Sequence, residues 1–397
     1  MRLNKESLLL LAYLTFSFLT LVKPGYNGFP VQLNDNISYL LTLLFGFLLA
    51  FESSKKIIKQ EFINHFSRSP YYIIFLFFVF LSFSVNTILG LYEIYTAAKT
   101  LSFFTIGVLN FYIIPLRFRK SQDVEILWRN VILFLSVFVS IVAILGVFEF
   151  PIFFGWNSFD EVIAVIKMRS TASILFEPNI YALLLMFGIF FAHVSHYTKE
   201  IKIILILILI IGLFFSYSRG AWLCMMIYVG LIFYHNSKFK KILLIILIIF
   251  SIIIFPILLN IKEVFELLNL DNPLTGRLDL WKLTINKSLE RPITGIGMSS
   301  ERLNALFLTL GKNYTTSHNV TIDSLLTNGW IATFFYILTF IAPLTREGNS
   351  NTKNSYFKYF GISVLIFLQF SPHNIGGASL MAVSTALLFG KLSLYGK

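Results

Sequence analysis

Three arginines and one histidine are set where apolar sequence meets a polar turn. Arg219 lies in Tyr217-Ser218-Arg219-Gly220, a tight turn between two apolar runs. Arg169 precedes a run that opens with Phe176-Glu177-Pro178-Asn179, where a proline and a carboxylate enter otherwise apolar sequence. Arg277 follows Pro273 and Gly276 at a predicted helix start, where backbone N–H groups and a guanidinium together suit an anion. A guanidinium donates in a planar fork that matches phosphate oxygens, so three of them converging would cradle a diphosphate. An arginine at a helix end also serves as an interface anchor, its stem in apolar surroundings and its head in water. His318, followed by Asn319, is the only histidine in the longest polar stretch, residues 260–323, and its near-neutral titration makes it the candidate general base. An isolated histidine is more often structural, so its weight depends on what surrounds it.

The elements that must position these residues are apolar helices. Apolar residues make up 56% of the chain and charged residues 13%, with a mean hydropathy of +0.77; a soluble domain carries roughly 25% charged residues. This is the composition of a polytopic membrane protein. Twelve runs are candidate spans: residues 8–22, 37–51, 71–91, 100–116, 126–148, 171–194, 201–217, 221–235, 242–259, 325–344, 359–370 and 376–390. The first follows Arg2 and Lys5 as a signal peptide would, but no small-residue cleavage site comes after it, so it is expected to be retained. The single cysteine, Cys224, lies in an apolar run and excludes both an intramolecular disulfide and a Cys-ligated metal cluster.

Charge sets the expected orientation. With a cytoplasmic N-terminus and alternating spans, twenty Lys and Arg fall in or beside inside segments, against five (Lys23, Lys99, Lys167, Arg169 and Arg219) in the short outside ones. Both termini are then cytoplasmic, and the 260–323 loop, between the ninth and tenth spans, is extracytoplasmic. Seven basic residues balance seven acidic ones in that loop, so the net charge of +12 is a topology signal and nucleic acid is not an expected partner. No internal repeat or low-complexity linker divides the chain, so residues 1–397 are expected to form a single transmembrane domain. Inside the loop, Leu278, Trp281, Leu283, Ile285 and Leu289 have helical spacing, and a second short helix fits residues 302–310, ended by Gly311. Such amphipathic pieces are expected to lie along the membrane surface or roof a cavity.

Four local patterns resemble the O-antigen ligase and polymerase superfamily, bacterial membrane proteins that transfer glycans from undecaprenyl diphosphate. Arg169 with Phe176-Glu177-Pro178-Asn179-Ile180-Tyr181-Ala182 is similar to that family's arginine followed by F-x-P-N-x-x-A. Ser216-Tyr217-Ser218-Arg219-Gly220 resembles its S-x-S-R-G segment, the most specific of the four. Arg277 through Trp281 to Pro292-Ile293-Thr294-Gly295-Ile296-Gly297 resembles its R-x-x-x-W and P-x-x-G-x-G stretch. His318-Asn319, nine residues and Gly329 complete the likeness, which spans residues 169–329; the first half of the chain resembles the family only in hydropathy and topology.

The resemblance implies an all-α, GT-C-like polytopic fold of about twelve transmembrane helices, in the bacterial inner membrane, with the active site extracytoplasmic. It implies metal-independent glycosyl transfer with no cofactor. Arg169, Arg219 and Arg277 would neutralise the departing diphosphate, His318 would accept the proton of the attacking sugar hydroxyl or orient it, and Asn319 would bind sugar or fix the histidine. The implied partners are an undecaprenyl-diphosphate-linked glycan donor and, as acceptor, lipid A core (ligase) or a lipid-linked glycan (polymerase). The chain has no Asp-x-Asp pair, which disfavours a metal-dependent nucleotide-sugar transferase. A polysaccharide or lipid-linked oligosaccharide flippase is the alternative; it would show repeat symmetry or charged, broken mid-membrane helices.

Overall fold

The computed structural model describes residues 4–22, 35–57, 59–90, 106–147, 158–163, 166–171, 173, 175, 178–236, 277–297, 300–309, 316–346, 352–371 and 379–394. Four helices come first: α1 (Lys5–Leu19), α2 (Asp35–Ser54), α3 (Lys59–Arg68) and α4 (Tyr71–Ile88). A π-helical turn, Leu109–Ile113, runs into α5 (Ile114–Lys120), and α6 (Gln122–Val147) follows. Next are strands β1 (Ser158–Ile163) and β2 (Ile166–Thr171), then α7 (Pro178–Val194), α8 (Lys199–Phe215) and α9 (Arg219–Asn236). The last part holds α10 (Arg277–Ser288), α11 (Ser300–Leu308), α12 (Val320–Asn328), α13 (Trp330–Thr345), α14 (Thr352–Phe367) with a 3-10 turn at Leu368–Phe370, and α15 (Leu380–Ser393).

This is a predominantly helical membrane protein. Among the described residues, Ile37–Ser54, Tyr71–Ile88 and Gln122–Val147 are long and apolar enough to cross a membrane; Pro178–Val194, Trp330–Thr345 and Leu380–Ser393 are shorter apolar helices. The expected span at residues 242–259 lies outside the described residues, as do Phe176, Glu177, Pro273, Gly276 and Gly311.

The described residues are helical as expected, apart from one short hairpin in which β1 and β2 pair antiparallel from Ser158↔Thr171 to Ile163↔Ile166. Both segments carry β-branched residues and charges in runs too short to span, a composition that suits a hairpin. The sixth apolar run therefore starts as a helix only at Pro178, a proline in the first turn, where its missing N–H leaves no bond unmade. The tenth run, taken as one span over 325–344, is divided at Gly329 into α12 and α13.

α7 and α15 form the centre. Every residue of α7 from Ile180 to Ala192 is buried, and so is every residue of α15; a helix apolar all round belongs inside a bundle. Phe190 stacks on Phe360 of α14 at 4.3 Å between ring centroids, and Trp128 of α6 meets Phe191 edge-on at 4.9 Å. Serine hydroxyls staple the neighbours: Ser136 Oγ donates to the Leu184 carbonyl and Ser140 Oγ to that of Ile208, each at 2.8 Å. Such small polar residues let apolar helices approach closely where the hydrophobic effect offers little discrimination.

Candidate functional site

The site is built around α12. The nine residues between Asn319 and Gly329 are that helix, so the spacing of the His-Asn…Gly pattern is the length of one short helix between its two caps. Asn319 is the N-cap: its side-chain oxygen accepts from the N–H groups of Thr321 and Ile322, both at 3.0 Å. A cap of this kind satisfies donors the helix itself leaves open, and here it also fixes the backbone beside His318. His318 has φ +58°, a left-handed conformation in which histidine is enriched over most side chains.

Two further contacts hold the turn that carries His318. Trp281 Nε1 on α10 donates to the Ser317 carbonyl at 2.9 Å, and Ser317 N–H donates to Asp323 Oδ1 on α12 at 2.7 Å. Ser317 is itself buried. Burial lifts the Asp323 carboxyl to about 6, an effect that the Ser317 hydrogen bonds only partly offset. Arg277 is the first residue of α10, one turn before Trp281 and on the same helical face. α10 packs on α12 through buried Leu280, Thr284 and Ser288. The fold thus brings Arg277 and His318 to the same junction, although they are far apart in sequence.

The proline- and glycine-rich segment after α10 closes the junction from the other end of α12. Ile296 N–H donates to Leu326 O at 2.8 Å, Gly297 N–H to Thr327 O at 3.0 Å, and Trp330 N–H to Pro292 O at 2.7 Å. The chains run so close that a Cβ on Gly329 would stand 2.4 Å from the Ile293 oxygen, and one on Gly295 2.5 Å from the Thr327 carbonyl. Both glycines also have positive φ, so any side chain there is excluded twice. Arg291 Nη1 donates to Asn86 Oδ1 on α4 at 3.2 Å, and Ser82 Oγ donates to the Thr294 carbonyl, which ties this segment to a membrane-length helix.

Arg219 opens α9 and is exposed. Its turn is joined to the start of α7, since Ser218 Oγ donates to Asn179 Oδ1 at 2.9 Å. Two of the sequence patterns, 178–182 and 216–220, therefore touch directly. A Cβ on Gly220 would lie 3.2 Å from Phe370, and the 3-10 turn containing Phe370 packs on α12, so the Arg219 turn adjoins the His318 helix through one aromatic residue. Arg169 is on β2, in register with Asp160, and not on a loop before a span. β2 packs against α6 and α8. The hairpin connects the end of α6 to the start of α7, which puts it at the end of the bundle where Asn179 meets Ser218.

Among the described residues, the non-glycine positions with positive φ are Ser173, Tyr217 and His318. Each lies within a few residues of Arg169, Arg219 or the candidate base. Such backbone costs about 1–3 kcal/mol and persists where the surroundings over-determine it. Three other histidines have packing partners: His65 with Ser393, His193 with Tyr228, and His235 with Tyr359. His193 is at the far end of α7 from Asn179. Among the described residues no group of three His, Cys, Asp or Glu is arranged to hold a metal ion. Sequence reasoning missed Asp323 as a support of the histidine turn; a carboxylate five residues after His318, inside the first turn of a short helix, was the available signal.

Residues 204–337 match the family model described as O-Antigen ligase. The match begins within α8 and ends within α13; it takes in Arg219, Arg277, His318 and Asn319 and leaves Arg169 outside. It supports the O-antigen ligase and polymerase superfamily for this chain. No curated protein and no solved structure gives a match.

Proposed function

We propose that this chain, matched over residues 204–337 to the O-antigen ligase family, is a glycosyltransferase of the bacterial inner membrane. It moves a glycan from undecaprenyl diphosphate to an acceptor at the extracytoplasmic face, both termini being cytoplasmic and residues 260–323 outside. The observation that supports this reading is the brace Trp281–Ser317–Asp323, which ties the helix that Arg277 opens to the left-handed turn that carries His318.

In the reaction, the bond from the sugar C1 to the diphosphate oxygen breaks as the acceptor hydroxyl oxygen bonds to C1. His318 takes the hydroxyl proton, and the lipid diphosphate departs with the electron pair. Arg277 and Arg219, with Arg169 from the hairpin, offset the negative charge on the leaving group; fixed cationic donors are most effective where charge develops. Asn319 holds the histidine turn through its cap. The acceptor is lipid A core for a ligase and a second lipid-linked glycan for a polymerase.

The test is a purified system containing this protein, lipid-diphosphate-linked donor and acceptor, with chelator and no nucleotide sugar. The wild type is expected to form a new glycosidic bond, and His318→Ala to lose about 10²–10⁴-fold in rate with normal expression. Movement of lipid-linked glycan across vesicles without bond formation would establish the flippase reading instead. An unimpaired alanine variant would remove His318 from the chemistry.

A further inference from the structure

α10 presents three distinct faces. Leu280, Thr284 and Ser288 are buried and face α12. Asp279 and Asn286 are exposed and polar. Leu278 and Ile285, with Leu289 in the turn directly after the helix, are exposed too, at 43%, 36% and 59%, yet apolar. At about 100° per residue those three fall in one stripe within about 40° of arc, flanked by the exposed Lys282. Scattered single apolar residues on a surface need no explanation, but an aligned stripe does.

The stripe continues into a second exposed apolar surface. Ile293, 55% exposed, follows it, and the Pro292 carbonyl beside Ile293 accepts from Trp330 N–H. Trp330 Nε1 reaches back to Ser288 Oγ on α10 at 3.2 Å. Trp330 begins α13, an apolar helix whose outward residues Trp330, Ile331 and Phe334 are exposed. An indole at the end of such a helix marks the headgroup level.

We infer that α10 lies along the bilayer surface with Leu278, Ile285 and Leu289 immersed at the headgroup–acyl boundary, and that the partner of this face is lipid. Lys282 at the stripe's edge reaches the anionic headgroups while its stem stays in the apolar zone. Arg277 on the same helix, and His318 through Trp281, are thereby held at the membrane plane. Lipid-borne substrates then reach them by lateral diffusion from that leaflet. The placement of α10 stands independently of the reaction; the delivery of substrate from that leaflet rests on the proposed glycan transfer.

The test uses full-length protein with Cys224→Ala, carrying one nitroxide label at Leu289→Cys, Ile285→Cys or Asn286→Cys, in vesicles of phosphatidylethanolamine and phosphatidylglycerol. Electron-paramagnetic-resonance power saturation compares collision with oxygen, which concentrates in lipid, and with an aqueous nickel chelate. Positions 285 and 289 are expected to favour oxygen, at a depth of about 5–10 Å, while position 286 favours the chelate. All three labels sit on exposed side chains, so the fold tolerates them. Chelate access at 285 and 289 equal to that at 286 would overturn the inference, and so would shielding from both reagents, which signals a protein partner or a second copy on this face.

Discussion

Replacing Trp281 by phenylalanine keeps an aromatic ring on α10 and removes a single donor, the indole N–H that reaches the Ser317 carbonyl at 2.9 Å. A hydrogen bond of this kind contributes about 1 kcal/mol net, and leaving a buried carbonyl unmatched costs about 1–3 kcal/mol. The loss stays local, because α10 remains packed on α12 through Leu280, Thr284 and Ser288 and anchored at its end by Trp330. What weakens is the hold on residues 317 and 318, where the backbone already sits at φ +58°. One to three kcal/mol corresponds to about 5–150-fold in the fraction of molecules with the histidine in place. The expected result, from initial rates at saturating lipid-linked donor, is a kcat lower by that factor with the donor KM little changed. In a His318→Ala background the same change should add nothing further, since Trp281 acts through the histidine. An unchanged kcat refutes the brace, and so does a loss fully explained by less folded protein.

Gly329→Ala places a Cβ 2.4 Å from a backbone oxygen at φ +86°, so a loss of roughly 2 kcal/mol or more is expected, seen as a lower melting temperature in detergent; a neutral effect would show that the α12–α13 junction is looser than described. Burial raises the Asp323 carboxyl from its ordinary 3.8 to about 6, so the folded state holds that proton more tightly than the unfolded state, and stability from this group is full below about pH 4 and falls as pH rises through 6. Asp323→Asn keeps an acceptor for the Ser317 N–H and should flatten that slope; equal wild-type and variant melting profiles from pH 4 to 7 would count against it. Arg219→Lys and Arg277→Lys keep the charge and lose the fork, and each should slow transfer at normal protein level, as measured by product formation. Undiminished transfer by both returns these arginines to interface anchors.

The sequence by itself determined the class and much of the outline. Composition with the length of the apolar runs pointed to a helical membrane protein, because backbone in lipid must satisfy its hydrogen bonds internally and runs of this length suit helices rather than barrel strands. Helical spacing around Leu278 to Leu289 anticipated α10 closely, and the short helix expected at 302–310 is α11 at Ser300–Leu308. Residue type and spacing singled out Arg219, Arg277 and His318 as candidates, and the family resemblance added Gly329 to the same stretch. These are local signals, carried by neighbours within a turn or two.

Tertiary structure alone decided the rest. Hydropathy could not separate α12 from α13, since the apolar residues on either side of Thr327-Asn328-Gly329 read as one run; Gly329 at φ +86° ends α12, and its close approach to Ile293 leaves no room for a side chain. The hairpin at 158–171 was hidden because its pairing is visible only across two strands. That α7 and α15 are central while α10 exposes an apolar stripe is invisible to periodicity, which reports an apolar face but not whether protein or lipid covers it. The contacts around the candidate site, Trp281 to Ser317, Ser218 to Asn179 and Arg291 to Asn86, join residues 36, 39 and 205 positions apart. No local pattern encodes such pairs; they exist because packing the apolar faces brings their polar ends together, and a buried donor there must find an acceptor.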